Sequence, residues 1–200
     1  MKFEEGRHPG GLRLTDRAAR LAGMSPGISV LDVGCGMGQS LVFLESTYGV
    51  IAHGIDISEK HITIARHRLP SAVFSVGYAE AIPYKDASFD IVICECVLSL
   101  VNESAQAISE MFRVLKPLGV LIISDVCSEE ELDAVREMFC KENFEVTLFE
   151  EHKAALITYA AEAYQSGAMS SCFTATVETV RSIYGKSTYY LAICQRGEDF

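Results

Sequence analysis

The sequence predicts an α/β fold: a doubly wound, mostly parallel seven-stranded sheet with helices on both faces and an antiparallel last strand. Three observations lead there. Short, near-continuous apolar runs alternate with helical stretches in five successive units, the pattern of strands buried on both faces. Glycines stand at alternate positions, Gly34, Gly36 and Gly38, directly after the first run. A second run ends on an acidic residue, Asp56, after the first has ended on Asp32-Val33.

The elements follow in order. Arg7-His8-Pro9-Gly10-Gly11 is a loop by its Pro-Gly-Gly. Thr15 is placed to cap a short helix through Leu21, with Gly23 at its end and Pro26-Gly27 as a turn. Strand one is Ile28 to Val33, and a helix covers Gly38 to Tyr48. Strand two is Val50 to Ile57; Ser58 caps a helix to Leu69, ended by Pro70. Strand three, Ala72 to Tyr78, leads into a loop, 79–88, and strand four is Phe89 to Cys96. Asn102 is placed to cap a helix from Glu103 to Leu115, whose Ala107, Ile108, Met111 and Leu115 form one apolar face. Lys116-Pro117-Leu118-Gly119 stops it, and strand five is Val120 to Val126. Ser128 with Glu131 reads as a capping box for a helix to Cys140. Strand six is Phe144 to Phe149, a helical stretch covers His152 to Ser166, a further helix is expected over Ser170 to Arg181, and the last strand is Thr188 to Cys194.

Two hundred residues suit one domain, with 1–25 as a lead-in helix and 153–187 as a helical insert before the last strand. No apolar run approaches the ~20 residues of a membrane span, and the first residues lack the apolar stretch of a signal peptide, so a cytoplasmic protein is expected. The net charge of −10 disfavours nucleic-acid binding, which needs clustered Lys and Arg. The one dense basic patch, Lys60 to Arg68, fits a solvated helix face. Seven cysteines without a CxxC pair read as reduced thiols, and no metal site is expected.

In parallel sheets a ligand binds beyond the carboxyl ends of the strands, where the strand order reverses. That rule puts Gly34 to Gly38, Asp56, Tyr78 to Glu80, Cys94 to Cys96 and Asp125 to Cys127 on one rim. Glycine permits the sharp turn and close approach to a ligand, and the helix beginning there aims free N–H groups at an anion. A dinucleotide fingerprint, GxGxxG, needs glycine at position 39; Gln39 stands there instead, and the pattern is GxGxG.

That pattern resembles motif I of the class I S-adenosylmethionine-dependent methyltransferases. The similarity extends over residues 28 to 126: Gly54-Ile55-Asp56-Ile57-Ser58, then Ala79-Glu80-Ala81-Ile82-Pro83-Tyr84 with Ser88-Phe89-Asp90-Ile91-Val92, then Glu110 to Leu121. The branch it looks like holds quinone-biosynthesis and arsenite methyltransferases. The resemblance implies S-adenosylmethionine as cofactor. Backbone groups of Gly34, Cys35, Gly36, Gly38 and Gln39, with Asp32, would hold the methionine part. Asp56 would accept the ribose hydroxyls, Ile57 would face the adenine, and Ala79 would offer an N–H to its edge. Cys94 lies where the family's strand-four carbonyl meets the methionine part. Tyr78 occupies a position where the family commonly has Asp, which leaves the polar contact to Glu80 or replaces it by ring packing.

Methyl transfer from a sulfonium needs positioning more than acid–base help, and no triad is seen. Glu95, Asp125, His8 and His152 are the candidates on the acceptor side, against plain surface or capping roles. Cys94, Cys96 and Cys127 would form a thiol site for a soft acceptor if 94 and 96 share one strand face; buried cysteines otherwise serve as small hydrophobes. The stripe Ala155, Leu156, Tyr159, Ala160, Ala163, Tyr164 suits packing on the domain, a lid or acceptor wall, or a homodimer surface. The leading reading is a methyltransferase for a small-molecule acceptor, with no nucleic-acid or membrane partner. The alternatives are a cofactor-binding sensor without transferase activity and, less favoured, a nucleotide-dependent oxidoreductase.

Overall fold

A computed structural model describes residues 8–165 and 185–197. In chain order the elements are α1 (Gly11–Leu21), β1 (Ser29–Val33), α2 (Gln39–Tyr48), β2 (Ile51–Asp56), α3 (Glu59–Arg68), β3 (Val73–Val76), β4 (Phe89–Glu95), α4 (Ser104–Val114), β5 (Leu115–Ser128), α5 (Leu132–Lys141), β6 (Phe144–Glu151), α6 (Lys153–Gln165) and β7 (Ser187–Arg196). They form a Rossmann-like sheet in the order β3-β2-β1-β4-β5-β7-β6. β1 to β5 pair in parallel; β7 runs antiparallel between β5 and β6. The expected fold is the observed one, antiparallel last strand included. The helix expected over Ser170 to Arg181 lies outside the described residues, as does the side chain of Tyr164.

Each face of the sheet has its own core, because successive strand residues point to opposite sides. Leu31 and Val33 of β1, Val92 and Cys94 of β4, and Leu121 and Ile123 of β5 pack with Ala107, Ile108, Met111 and Val114 of α4 and Phe139 of α5. On the other side Val30, Ala52, Ile91, Ile93 and Ile122 pack against Leu14 and Ala18 of α1, Leu41 and Leu44 of α2, Ile62 and Ala65 of α3, and Leu156 of α6. Asp32 lies between residues of the first set and so projects on the α1–α2 side.

Three local expectations are corrected. Thr15 does not cap a helix: α1 already begins at Gly11, after a left-handed Gly10, and Thr15 sits one turn inside with its hydroxyl on Glu95. Asn102 is not a cap either; α4 starts at Ser104 with Glu103 as its uncapped N-terminal neighbour. Cys94 and Cys96 do not share a face. The backbone turns left-handed at Cys96 (φ 57°), so Cys94 packs on the α4 side while Cys96 packs on the α1–α2 side. The capping box forms as read, the Glu131 carboxylate accepting from the Ser128 N–H and hydroxyl at 3.0 and 2.8 Å.

Candidate functional site

The strand order reverses between β1 and β4, and a cavity of about 440 Å³ opens there. Its first wall is the turn after β1. The N–H groups of Gly34 and Cys35 both donate to the Ile55 carbonyl of β2, at 2.8 and 2.9 Å, which ties the turn to the neighbouring strand. Gly34 is left-handed (φ 76°), and a Cβ there would stand 2.2 Å from Val97 Cγ2; only glycine lets this backbone lie so close to the end of β4. Gly38, left-handed at φ 76°, precedes α2 and supplies no side-chain cap.

The second wall is the end of β2. Asp56 accepts from the N–H of Gly36 at 2.9 Å and of Ser58 at 2.8 Å. His61 Nδ1 of α3 lies 3.4 Å from the same carboxylate. Beyond it Ile57, 65% exposed, and Tyr78 of the loop after β3, 58% exposed, both line the cavity. Ala79 and Glu80 continue that loop along the cavity.

Between the walls lies Asp32, buried at 4% exposure with no hydrogen-bond partner among the described residues. Burial pushes its pKa well above the ordinary carboxyl value, and the nearby Glu95 and Asp56 carboxylates add to the shift. A carboxylate so placed has one stabilising partner it lacks, a cation. The donor set is thus a buried anion, an open left-handed turn and a helix start. It fits a ligand carrying an ammonium and a carboxylate close together, attached to a nucleoside.

A family model described as "Methyltransferase domain" matches residues 24–189. The chain belongs to the methyltransferase-domain family. The residues present fit S-adenosylmethionine, the cofactor that the sequence resemblance implies: Asp32 would hold the ammonium, the turn and the start of α2 the carboxylate, and Asp56 the ribose. Two relatives show the spread of the family. Methyltransferase GfsG of Streptomyces halstedii is 34% identical over 140 residues, 65% of this chain and 50% of its own. The 2-methyl-6-phytyl-1,4-hydroquinone methyltransferase of Synechocystis is 37% identical over 105 residues, 51% of this chain and 33% of its own. The chain therefore spans half or less of the length of these curated relatives. Among solved structures, one titled as the [4+2]-cyclase SpnF superposes with a TM-score of 0.79 at 25% identity, over 94% of this chain and 81% of that one.

The third wall of the methyltransferase cavity is the end of β4. Glu95 accepts from the Thr15 hydroxyl of α1 at 2.9 Å and the Ser40 hydroxyl of α2 at 3.1 Å. His8 Nε2 stands 3.4 Å from the same carboxylate and 3.3 Å from the Thr15 hydroxyl. The other ring nitrogen of His8, Nδ1, faces the Pro9 carbonyl at 3.2 Å. Both ring nitrogens are thus engaged, and this buried group ties the start of α1 to β4.

The structure brings Asp32, Gly34, Cys35, Gly36, Gln39, Asp56, Ile57, Ala79, Glu80, Glu95 and His8 to one cavity. Gly38 stands behind it, against Ala65 and Phe74. It does not bring Cys94, Asp125 or His152 there. The Cys94 side chain is fully buried in the α4-side core. The Asp125 carboxylate accepts from the Ser99 N–H (2.9 Å), the Ser99 hydroxyl (2.7 Å) and the Val126 N–H (2.7 Å), which pins the short helical turn Leu98–Leu100 after β4. His152 Nε2 is 3.2 Å from Glu150, which also takes Arg17 at 2.8 Å. His152 borders a separate groove of about 1330 Å³ between α1 and α6, and His8 borders both that groove and the cavity.

The sequence reading missed Ser40, Thr15, Val97 and His61 as site residues. His61 had a usable signal. Ser58 caps α3 by accepting the His61 N–H at 3.3 Å, so the first turn after Asp56 carries residue 61 back over it. Thr15 and Ser40 had none, because their partner Glu95 is distant in sequence from both.

Proposed function

We propose that this chain is an S-adenosylmethionine-dependent methyltransferase acting on a small molecule. The observation that carries the reading is Asp32: a buried, unpartnered carboxylate under a left-handed glycine turn, on the strand where the sheet reverses. When bound, S-adenosylmethionine supplies a methyl group already activated on a sulfonium. The residues of the chain then have to hold and orient. Asp32 and the Gly34–Gly38 turn fix the methionine end, Asp56 the ribose, and the Ile57 and Ala79–Glu80 segments the base. Glu95, with Ser40, Thr15 and His8, closes the cavity on the side where the methyl would face out. Alignment of donor and acceptor for in-line displacement is the main source of rate in such a site.

The acceptor approaches from the α1–α6 side, where His8 separates the cavity from the groove. The first part of the 153–187 insert serves as a wall of that approach: Leu156 and Ala160 are buried against the sheet, while Ala155, Thr158 and Tyr159 border the groove. Relatives named for a phytyl hydroquinone and for rifamycin chemistry support a small organic acceptor rather than a macromolecule, and the net charge of −10 agrees. Among the described residues no helix is long and apolar enough to cross a membrane. The described cysteines are all free thiols, which supports a reducing, cytoplasmic setting. A single domain and a homodimer through the insert belong to the same proposal.

A second reading, cofactor binding without methyl transfer, is favoured by one observation: a similar fold carries the name of a cyclase. Calorimetry with S-adenosylmethionine, followed by a labelled-methyl screen over quinols, thiols, arsenite and selenite, separates the two. Binding and transfer support the methyltransferase. Binding with no transfer to any acceptor moves the assignment to the second reading, and absence of binding removes both.

A further inference from the structure

The loop that carries Tyr78, Ala79 and Glu80 along the cavity is not held by its own strand. β3 ends at Val76. The loop doubles back, the Ala81 N–H donating to the Tyr78 carbonyl at 3.2 Å, and its next residues are gripped by two side chains of α4, which shares one core with Ala79 and Ile82. Arg113 uses all five of its N–H donors there. Nη2 donates to the Ile82 carbonyl at 2.9 Å and Nη1 to the Tyr84 carbonyl at 2.8 Å. Nη1 also reaches Asp86 at 2.7 Å. The remaining donors, on Nε and Nη2, form a two-pronged pair with Glu110 at 2.6 and 2.8 Å. Glu110 in turn accepts the Ile82 N–H at 2.8 Å. Both backbone groups of Ile82 are therefore fixed by one ion pair, and Ile82 itself is 3% exposed. The end of α4 completes the grip: the Ala87 and Ser88 N–H groups donate to the carbonyls of Arg113 and Val114, at 3.0 and 2.8 Å.

We infer that the Arg113–Glu110 pair, which lies outside the cavity lining, is the positioning device that sets the affinity and base selectivity of the donor site, by holding the Ala79 N–H and the Glu80 carboxylate at fixed places beside the adenine. This rests on the methyltransferase reading. A planar guanidinium suits the task because its donors leave in fixed directions, toward two carbonyls and two carboxylates at once; a lysine ammonium on a flexible stem cannot reproduce that set. Selectivity follows from the two groups held. The Glu80 carboxylate can accept from the amino group of adenine but repels the carbonyl oxygen that replaces it in hypoxanthine. A loose loop loses that distinction before it loses the sugar and methionine contacts, which other walls supply.

The test compares S-adenosylhomocysteine with S-inosylhomocysteine by calorimetry on the whole chain, as wild type, Arg113→Lys and Glu110→Gln, with melting temperatures alongside. Glu110→Gln keeps the size and one acceptor oxygen, so it serves if Arg113→Lys folds poorly. Wild type should prefer the adenosyl compound, and each variant should bind it about tenfold more weakly, the size expected for loss of charge-assisted hydrogen bonds. The preference over the inosyl compound should shrink toward one. The inference is overturned if both compounds lose the same factor together with a lowered melting temperature, which is the signature of a purely structural pair, or if neither affinity changes. Failure of wild type to bind S-adenosylhomocysteine at all is a separate outcome and removes the methyltransferase reading instead.

Discussion

Two sides of one cavity are built in different materials. On the β1–β2 side the cavity is lined by backbone, plus two aspartates at the ends of adjacent strands: the Gly34 to Met37 turn, Asp32 and Asp56. On the β4–α1 side the contacts are side chain to side chain, with Thr15, Ser40 and His8 converging on Glu95 from three elements. The first side is specified locally, by a few residues in a row, and admits little variation in shape. The second is assembled from residues far apart in sequence, and its composition can drift with the acceptor. A family that keeps one donor and changes its acceptor needs this division.

The sharpest way to break the comparison is to spoil the backbone side with one methyl group. Gly34→Ala places a Cβ 2.2 Å from Val97 Cγ2 at a left-handed position. Left-handed strain and overpacking together should cost about 2–5 kcal/mol, and donor affinity should fall below detection in calorimetry. Retention of near wild-type affinity would mean that the turn is not the donor's cradle.

Asp32→Asn separates stability from binding on the same side. The Asp32 pKa is raised in the folded chain above its ordinary value of 3.8. The folded state therefore holds that proton more tightly than the unfolded state, and ligand-free stability falls as pH rises from 3.8 through the raised value. Ionisation of this carboxyl is therefore a cost to the ligand-free fold. Asparagine removes it, so the ligand-free melting temperature should rise by roughly 2–4 °C per kcal/mol recovered. Donor affinity should fall roughly 10- to 100-fold, the worth of a hydrogen-bonded charge pair. A parallel fall in both quantities would show that Asp32 is structural.

Glu95→Gln probes the other side. It keeps the shape of the side chain but removes the charge on which His8, Thr15 and Ser40 converge. Hydrogen exchange of the amides from His8 to Thr15 should accelerate about tenfold, as expected for losing about 1.4 kcal/mol from a local opening equilibrium. Donor affinity should change less than about threefold, since a surviving neutral hydrogen bond retains most of its net contribution, while methyl transfer declines. A collapse in donor affinity as deep as that of Asp32→Asn would merge the two sides into one.

The same division decides what could be read from the sequence. The place of the glycine turn and of Asp56 on the cavity was legible because sharp turns and strand ends leave particular residue types at fixed spacing on consecutive elements. The doubly wound, mostly parallel sheet followed from the alternation of apolar runs and helices. Glu95 and His8 were legible only as candidates, and their partnership was not, since it depends on α1 beginning at Gly11 rather than at Thr15. Asp125 has a residue type and strand position suited to a site, yet its oxygens are spent on the Ser99 turn. Cys96 escaped the alternation rule for strands because the chain leaves extended geometry one residue after Glu95.

The cysteines give the smallest expected effect and the last test of that side. A thiol site for a soft acceptor needs thiolates, which are the reactive and metal-binding form. Burial raises the Cys96 thiol to about 12 and the Cys127 thiol to about 11, so both stay protonated at neutral pH. Cys96 is instead the end of a hydrogen-bond chain into the sheet, its thiol 3.6 Å from the Tyr189 hydroxyl, which donates to Ser124 at 2.8 Å. Among the described residues no cluster of histidine, cysteine or acidic side chains is arranged to hold a metal. Cys96→Ala and Cys127→Ala, alone and together, should therefore leave donor affinity within about twofold, since only a weak thiol bond is lost. Transfer to whatever acceptor the labelled-methyl screen identifies should persist in the double variant. Loss of transfer with donor binding intact would return the thiols to the acceptor side, and would require a rearranged backbone at Cys96 that brings its sulfur round to Cys94 and Cys127.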